Sequence, residues 1–539
     1  MKFLVYMWSG VLGVIGLSAV LGPSLYAYQA PKRTALPSGT VCEVIVNGGS
    51  FAAFGAALAS ADEGARTCLV EPTDWLGGQM TNQGVSALDF PYQKIDGLDL
   101  SKITRQDQHI PKNLRPILKA LQAHSAHCWV SKYCAEPKQV AKILAAEVAK
   151  RPTLQVFYRS VVKEVYTEDR RIKGLRILQR PRTLPGLKFS EQVALWYDPN
   201  LATIEHTLIH PNGPLVIEAS ELGDVLVLSG AEWQQGQDES TARADHCGQA
   251  ISYPFAMEMT EYPTRTYLPD YRPAKHEFDI RGRYFSWPQI WSYRRVRGKG
   301  SLKQARPGEV SLQNWEVGND YSGGYVFLDK KRTREQVSDW RGGLNFDTLE
   351  AAQNRSYSWL DWLIKNAPVD YAGRVRMNKD TLGTAHGLAQ VPYFRGSRRA
   401  VGLDGFVLKF VDTQPKSGAN RGSKFATRIA TGAYPIDIHE LEGCSYPEST
   451  TRVYPYYLPY EALTVQEFDN LLVAGKNLAQ DFTLASSTRV HVTEFATGSA
   501  SGVIAAELFN QRWSTRTGLE QIEYLQSKVK AYTPIEWNY

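Results

Sequence analysis

The sequence predicts an α/β fold, and three observations in its first part support this prediction. The apolar segment "CEVIVN" reads as a strand and leads into the small-residue turn "GGS". The stretch "FAAFGAALASADEGA" follows, with small and apolar residues at helical spacing. A second strand-like segment, "RTCLVE", then ends at Glu71. Together these segments form one β-turn-α-β unit, the building block of open parallel sheets.

The turn of this unit has the layout that a dinucleotide requires. Gly48, Ser50 and Ala53 stand at the three positions of the G-x-G-x-x-G pattern, two of them filled by other small residues. The helix that follows offers free N–H groups and a positive dipole end to a pyrophosphate. Glu71 comes about twenty residues after Ser50, where a carboxylate binds a ribose hydroxyl. The alternative is a turn that packs against the sheet and binds nothing.

The composition limits the class of protein. The chain has 539 residues, of which 43% are hydrophobic and 22% charged, an ordinary globular balance. The net charge of +6 is spread thinly, and arginine and lysine occur singly or in pairs. We therefore expect no nucleic acid partner.

The first thirty residues differ from the rest of the chain. In "MKFLVYMWSGVLGVIGLSAVLGPSLYAYQA" one lysine precedes a long apolar run, and small residues follow. This pattern is typical of a signal peptide or of an N-terminal membrane anchor, and the sequence leaves both open. In either case we expect the remainder to be exported, as a periplasmic, secreted or membrane-anchored protein.

The six cysteines are compatible with an oxidising compartment. We interpret Cys42 and Cys68, in neighbouring predicted strands, as small buried hydrophobic residues. Cys128 and Cys134, in "HCWVSKYC", either close a short disulfide or remain buried thiols. Two histidines precede them, but the spacing matches no zinc finger or ribbon, so we expect no metal site.

After Glu71 the chain continues as "PTDWLGGQMTNQGVSALD", with a second glycine pair. Here the sequence resembles the FAD-dependent oxidoreductases of the glutathione-reductase and fumarate-reductase type. In that family the first strand ends in a glycine pair followed by Thr or Ser, the second ends in Glu-Pro, and Leu-Gly-Gly follows.

The resemblance extends towards the C-terminus. "LVIEASELGDVLVLSGAEW" is similar to the family's returning strand and turn, and "FDNLLVAGKNLAQDF" to its last dinucleotide-domain strand. "TRVHVTEFATGSASGVIAAELF" is similar to its closing helix, which we expect to begin near Gly498. The resemblance implies bound FAD, held by Gly48, Gly49, Ser50, Ala53, Glu71, Gly77, Gly78, Gln79, Val162, Ser220, Gly475, Gly498 and Ser499. Because no histidine follows Gly78 where related enzymes attach flavin covalently, we expect non-covalent FAD.

The resemblance implies a Rossmann-like FAD/NAD(P)-binding domain built from discontinuous segments, with an inserted mixed α+β substrate or cap domain. The expected parts are the signal or anchor at 1–30, the first FAD-binding part at 40–233, the cap at 234–435, the closing FAD-binding part at 436–512 and an extension at 513–539. The cap is rich in aromatic residues and has few clear helices. A second dinucleotide turn is not evident, so we expect no dedicated NAD(P)H domain and an electron acceptor such as oxygen, a quinone or another carrier.

Two residues are the main candidates for proton transfer. Asp437 and His439, in "ATGAYPIDIHELEG", would face the same side of a strand. Histidine is a suitable acid or base at neutral pH, and a nearby carboxylate can orient it. The alternative is a solvated strand end; the family has a similar stretch, which the resemblance places near the flavin.

An arginine-rich stretch, "YFRGSRRAVG", offers a clamp for an anionic or carbonyl group of the substrate. We favour Arg398 and Arg399 over Arg395 for this role, with surface ion pairs as the alternative. Tyr460, in "YPYYLPY", is a candidate to bond a substrate oxygen, although most tyrosines in such a run pack in the core.

The sequence therefore predicts an FAD-dependent oxidoreductase that transfers a hydride between flavin N5 and a small organic substrate. One alternative is a redox-neutral flavoenzyme, such as an isomerase or hydratase. The other is a binding or scaffold protein that kept the fold without flavin.

Overall fold

The structure is a computed structural model. It describes residues 38–91, 94–95, 98–99, 109–181, 184, 186–201, 204–237, 246–273, 278, 286–415, 420–446 and 452–538. The segment predicted as a signal or anchor lies outside these residues. Among the helices that are described, none is long and apolar enough to cross a bilayer.

Strands and helices are mixed along most of the described chain, and four successive helices follow the last strand. The strands are β1 (Thr40–Val41), β2 (Val44–Asn47), β3 (Thr67–Glu71), β4 (Lys94–Ile95), β5 (Leu98–Asp99), β6 (Leu154–Tyr158), β7 (Ser160–Glu168), β8 (Arg171–Gln179), β9 (Ile204–Ile209), β10 (Leu215–Glu218), β11 (Trp233–Gln234), β12 (Ile251–Ser252), β13 (Phe255–Met259), β14 (Arg295–Arg297), β15 (Val310–Gln313), β16 (Asp320–Tyr321), β17 (Val375–Asn378), β18 (Arg399–Ala400), β19 (Arg428–Gly432), β20 (Tyr456–Pro459) and β21 (Leu471–Val473). The α-helices are α1 (Phe51–Asp62), α2 (Arg115–His124), α3 (Pro137–Ala149), α4 (Phe189–Trp196), α5 (Asp224–Ser229), α6 (Trp287–Tyr293), α7 (Lys330–Glu335), α8 (Phe346–Lys365), α9 (Phe482–Thr488), α10 (His491–Gln511), α11 (Thr515–Glu520) and α12 (Ile522–Val529).

A five-stranded parallel sheet forms the centre of the fold, in the order β21-β10-β2-β3-β6. Its strands are short apolar runs because both faces of the sheet are covered. One face packs on α1 and α10, and the other on the four-stranded sheet β1-β9-β8-β7. The strands therefore end together at one edge, where Asn47, Glu71 and Glu218 lie. The α/β, Rossmann-like fold class predicted from the sequence is confirmed.

Helices α1 and α10 touch through small residues. A Cβ atom placed on Gly498 would lie 2.0 Å from the backbone oxygen of Ala52 in α1, so only glycine permits this contact. Ser499 follows Gly498 within α10, and its hydroxyl accepts a hydrogen bond from Asn113 Nδ2 at 3.0 Å. The expectation that α10 begins at Gly498 is wrong, because the helix already begins at His491 and these residues belong to its packed middle.

The segment predicted as the cap, 234–435, contains an antiparallel sheet, β14-β15-β13-β17, and a 20-residue helix, α8. The sequence analysis did not identify α8, which buries Trp359 and Tyr357 among other aromatic residues. A short antiparallel pair, β12 and β16, aligns Ser252 with Asp320. This pair presents both side chains towards the segment that joins β19 to β20.

All six cysteines are paired in disulfides. Cys42 is bonded to Cys68, so the interpretation of these two as free hydrophobic residues is wrong; adjacent strands hold their Cα atoms 5.8 Å apart. Of the alternatives left open for Cys128 and Cys134, the structure has the disulfide. The third bond joins positions 247 and 444, 197 residues apart, and fastens the segment carrying His439 to the start of the cap.

Candidate active site

A cleft of about 520 Å³ lies at the carboxyl edge of the parallel sheet. Parallel sheets of this kind bind their ligands at that edge. The carboxylate of Glu71, at the end of β3, is fully buried there. Its Oε1 accepts from the N–H and hydroxyl of Thr73 at 2.6 and 2.7 Å, while its Oε2 has no partner among the described residues. Burial raises the pKa of Glu71 to about 8, and a hydrogen bond that a ligand donates to Oε2 would offset part of the cost of burying the charged form.

The first turn approaches this carboxylate closely. A Cβ atom on Gly49 would lie 1.3 Å from Glu71 Oε2, and Gly48 has φ +104° beside the backbone of Ser220. The hydroxyl of Ser50 accepts from Ala53 N at 3.1 Å and so caps α1. The sequence therefore uses glycine where the turn meets the acid, and serine where the helix begins.

A second turn lies against the first. Gly77 N donates to Gly49 O at 2.8 Å, and Gly78 lines the same cleft. The next residue, Gln79, points the other way and donates to the carbonyl of Arg489 at 2.9 Å and to the carboxylate of Glu494. Gln79 thus connects the cleft to residues at the start of α10.

His439 lies between two carboxylates. Its Nδ1 is 2.5 Å from Asp320 Oδ2, and its Nε2 is 3.4 Å from Asp437 Oδ1. Two buried arginines support these acids from outside: Arg395 Nη2 lies 2.8 Å from Asp320 Oδ1, and Arg489 Nη2 lies 2.8 Å from Asp437 Oδ2. We call these five residues the His439 cluster. Asp437 and His439 meet as their spacing suggests, although the segment is irregular and not a strand.

The charges of the cluster favour a protonated imidazole. Burial and Arg395 oppose protonation of His439, but the two carboxylates outweigh them and raise its pKa. Burial works against ionisation of Asp320 as well, yet Arg395 and His439 hold the pKa of that carboxyl well below its usual range. The imidazole therefore has the basicity expected of a proton acceptor.

Tyr393 joins the His439 cluster to the cleft. Its hydroxyl accepts from Arg489 Nη1 at 2.6 Å and donates to Gln79 Oε1 at 3.3 Å. Lys476, which follows Gly475 after β21, lies over the Tyr393 ring at 5.6 Å. One hydrogen-bonded path thus runs from the proton-transfer candidate to the second glycine turn.

A family model for FAD dependent oxidoreductases matches residues 43–185 and 201–527. The chain belongs to this family. The protein is therefore an FAD-dependent oxidoreductase, and the sequence-based assignments of enzyme class and cofactor are confirmed. No curated protein matches the sequence significantly.

Solved structures of flavoenzymes match the chain with low identity and low TM-score. The oxidoreductase is 12% identical to a geranylgeranyl bacteriochlorophyll reductase-like protein of Thermoplasma acidophilum, covering 91% of this chain and 85% of that one, with a TM-score of 0.34. It is 8% identical to the flavin-dependent brominase Bmp2, covering 90% and 84%, with a TM-score of 0.34. It is 10% identical to the p-nitrophenol 4-monooxygenase PnpA of Pseudomonas putida DLL-E4, with a TM-score of 0.25; that match covers 41% of this chain and spans about half of the monooxygenase, 48%.

The residues of the cleft fit FAD. The unpaired Glu71 Oε2 suits a ribose hydroxyl, and the first turn of α1 suits a pyrophosphate. Ser220, at the end of β10, and Val161, beside Val162 in β7, line the same cleft. The oxidoreductase therefore has the acid and the glycine turn that an ADP-containing cofactor requires.

The remaining predicted cofactor residues play a part in packing. Gly475 lets the turn after β21 approach α1, and its N–H donates to Thr497 Oγ1 at 3.1 Å. Val162 is fully buried in β7, and Ala53 is fully buried in α1. These residues shape the walls of the nucleotide domain, and they remain predictions as cofactor contacts.

The structure places three predicted catalytic residues outside the His439 cluster. Arg398 donates to the carbonyls of Leu222 and Gly343, at 2.5 and 3.0 Å, and Arg399 donates to the carbonyl of Gln480 at 2.9 Å. Tyr460 is fully buried and donates to the carbonyl of residue 515 at 2.7 Å. Of the three arginines in this stretch, Arg395 is the one that belongs to the His439 cluster. The sequence analysis ranked it below Arg398 and Arg399.

Three members of the site escaped the sequence analysis. Asp320 lies in the cap, 119 residues before His439, and no local motif marks it. Tyr393 is the first residue of the arginine-rich stretch, and Arg489 precedes His491 in the segment that resembles the family's closing helix. The available signal for Arg489 was therefore its position as a charged residue within the segment that resembles the family's closing helix.

His491 is buried at the start of α10, with both ring nitrogens bonded to the segment after the second turn. Its Nε2 lies 2.9 Å from Val85 O, and its Nδ1 accepts from Asp89 N at 3.2 Å. Burial lowers its pKa, so it stays neutral and holds that segment in place.

Proposed function

We propose that this oxidoreductase moves a hydride between a small organic substrate and N5 of its FAD, with His439 as the proton acceptor. The observation that supports this is the imidazole held by Asp320 and Asp437 and linked to the glycine turn through Tyr393. FAD supplies the two-electron carrier, and the protein supplies orientation and a place for the proton.

In the oxidative direction the substrate loses two electrons and one hydrogen as a hydride, and its O–H or N–H proton passes to His439 when the imidazole is neutral; enzyme that already holds the imidazolium must first release its proton. The two carboxylates stabilise the resulting imidazolium, because each lies within 3.4 Å of one ring nitrogen. In the reductive direction the imidazolium returns the proton. Arg395 keeps Asp320 ionised, so it is a positioning residue in this scheme.

The substrate would approach through the cap. Asp320 lies at the base of an open groove of about 1480 Å³, whose lining includes Arg355 and Tyr321. A guanidinium and a phenol beside the cluster suit a polar substrate with an anionic or carbonyl group.

Several further expectations from the sequence belong to the same proposal. FAD is dissociable, because no histidine follows Gly78 where related enzymes attach flavin covalently. Oxygen, a quinone or another carrier takes its electrons, because a second dinucleotide turn is not evident in the sequence. The protein is exported, as a periplasmic, secreted or N-terminally anchored enzyme. The three disulfides support an oxidising compartment.

The test is an anaerobic screen of small alcohols, amines and hydroxy acids for bleaching of the flavin absorbance. A substrate that bleaches the flavin is then given to His439→Asn, and we expect flavin reduction to slow by about 100- to 10,000-fold with FAD retained. The matched control is His206→Asn, because His206 lies on β9, where its Nε2 bonds to Gln179 Oε1 at 3.0 Å and its ring meets Phe157 edge to face. Full activity in His439→Asn would refute the acid/base role. Turnover of a substrate without net flavin reduction or oxidant consumption would point to a redox-neutral flavoenzyme.

A further inference from the structure

Two carboxyl groups lie beside the N-terminus of α1, the end of the helix that suits a pyrophosphate. The first belongs to Glu221, in the turn after β10. A Cβ atom placed on Gly78 would lie 3.3 Å from Glu221 Oε1 and 3.5 Å from Phe51 N, so this oxygen and the first turn of α1 both lie against Gly78. Glu221 also lines the cofactor cleft, and its Oε1 is buried without a hydrogen-bond partner among the described residues.

The second carboxyl group belongs to Glu494, in the first turn of α10, and is fully buried. A Cβ atom placed on Gly475 would lie 2.7 Å from the Cβ of Ala52 in α1 and 3.3 Å from Glu494 Oε1, so the acid and α1 both lie against Gly475. Oε2 of this carboxyl group accepts from Gln79 Nε2, whereas Oε1 has no partner in the part of the chain that the structure describes. A buried oxygen left unpaired is costly, above all when it carries charge.

Lys476 is attracted by both acids. Its ammonium lies 2.5 Å from Glu221 Oε2, and its side chain is only 3% exposed. Burial opposes the charge of Lys476, but Glu221 and Glu494 outweigh it and raise the pKa of this lysine. One lysine is thus shared by two acids, and when both acids are ionised one negative charge remains uncompensated.

The other titratable groups around Glu494 do not supply the missing positive charge. On α10 itself His491 stays neutral, because burial lowers its pKa. Arg489, just before α10, directs its guanidinium to Asp437 and to the hydroxyl of Tyr393 from the cap. The first turn of α1 has the sequence "FAA" and carries no charge. The excess negative charge therefore remains beside the helix N-terminus.

Glu494 is the acid of this group that binds a proton near neutral pH. Burial raises the pKa of Glu494 to about 7, although Lys476 acts in the opposite direction. A diphosphate at the N-terminus of α1 adds negative charge near this carboxyl group, and a nearby like charge raises the pKa of a carboxyl group further. The ionised form of Glu494 therefore opposes a diphosphate, and the protonated form does not.

We propose that Glu494 takes up a proton from solvent when the diphosphate of FAD binds at α1, while Glu221 and Lys476 remain an ion pair. Cofactor affinity is then linked to pH. Below the pKa of Glu494 the carboxyl group already holds its proton, and FAD binds with full affinity. Above that pKa the proton must be taken up on binding, so the affinity falls by up to about tenfold per pH unit.

The experiment measures FAD binding to the apoprotein by titration calorimetry at about pH 6 and about pH 8, for the wild type and for Glu494→Gln. Between these pH values we expect the affinity of the wild type to fall by about tenfold relative to that of the variant. In buffers of different ionisation enthalpy at the higher pH, the wild type should take up about one proton more per FAD than the variant. Glu71 contributes with the opposite sign, but it is present in both proteins, so its contribution cancels in the comparison.

The matched control is Glu507→Gln, the same change at a buried acid near the other end of α10, whose carboxylate accepts from Tyr524 and Lys528 at 2.7 and 3.0 Å. This control should keep the pH dependence and the proton uptake of the wild type. Glu494→Leu is the second variant if Glu494→Gln does not fold, and the same result is expected of it.

The proposal is overturned if Glu494→Gln keeps the pH dependence of the wild type, or if it weakens FAD binding equally at both pH values. It is also overturned if the control loses the pH dependence. Because no turnover is measured, the result does not depend on the proposed hydride transfer.

Discussion

Replacing Asp320 by asparagine tests the electrostatic design of the His439 cluster. The substitution preserves shape but removes the charge that lies 2.5 Å from the imidazole and 2.8 Å from the guanidinium of Arg395. The side chains of Asp320 and Arg395 are only 4% and 1% exposed, so the arginine would be left buried without its carboxylate. Breaking a buried pair in this way costs about 3–5 kcal/mol. The pKa of His439 should fall, because one of the two carboxylates that raise it is lost.

The matched control is Asp437→Asn, the same change on the other side of the same imidazole. The Asp437 side chain is 43% exposed and is screened by solvent, although Arg489 is only 4% exposed, so the loss of this pair should cost less than the loss of the pair between Asp320 and Arg395. Guanidinium unfolding of the FAD-bound protein measures the difference in stability between the two variants. The pH profile of flavin reduction by the identified substrate should shift to lower pH in Asp320→Asn. Equal stability of the two variants would refute the role assigned to burial, and an unchanged pH profile would refute the electrostatic role of Asp320.

Two further predictions concern the cofactor cleft and the cap. Because the folded apoprotein keeps the Glu71 proton up to a pH of about 8, against 4.5 for the ordinary carboxyl, its stability should fall as pH rises through this window, by about 1.4 kcal/mol per pH unit. Glu71→Gln should remove that slope in urea unfolding of the apoprotein while weakening FAD binding, and a slope retained in the variant would contradict the assigned pKa. The double variant Cys247→Ser, Cys444→Ser removes the disulfide between residues 197 apart and should lower the free energy of unfolding by about 2–5 kcal/mol. FAD should be retained, and His439-dependent flavin reduction should be slower. Thermal unfolding and single-turnover flavin reduction measure the two effects. A variant as stable and as fast as the wild type would rule out a role for this disulfide in holding the segment that carries His439.

The nucleotide-binding half of the fold was accessible from the sequence because its signals are local. An apolar run, a glycine turn, an alanine-rich helix and an acid at a strand end occupy one continuous stretch up to Glu71. The buried strands of a parallel sheet must be apolar on both faces, so the pattern is visible without any partner. The resemblance to the family then extended this assignment to the returning strands. The exact start of α10 was missed, because Gly498 is required by contact with α1 and not by a helix end.

The arginines illustrate what the sequence could not separate. Arg395, Arg398 and Arg399 stand in one short stretch, yet one pairs with Asp320 while the other two bond to backbone carbonyls. Only the path of the chain through the cap decides which guanidinium meets a carboxylate. Similarly, the unpaired oxygen of Glu494 becomes conspicuous only when its surroundings are known.

The sequence by itself determined the nucleotide domain, the cofactor class and the proximity of Asp437 to His439, since each depends on residues that are near in the chain. The tertiary structure alone decided that Asp320 completes the histidine's environment, that Arg489 and Tyr393 link it to the glycine turn, and that all six cysteines are paired. Except for the Cys128–Cys134 bond, whose partners are 6 residues apart, those contacts join segments tens to hundreds of residues apart. Their geometry depends on how the sheets and helices pack, which local periodicity does not specify.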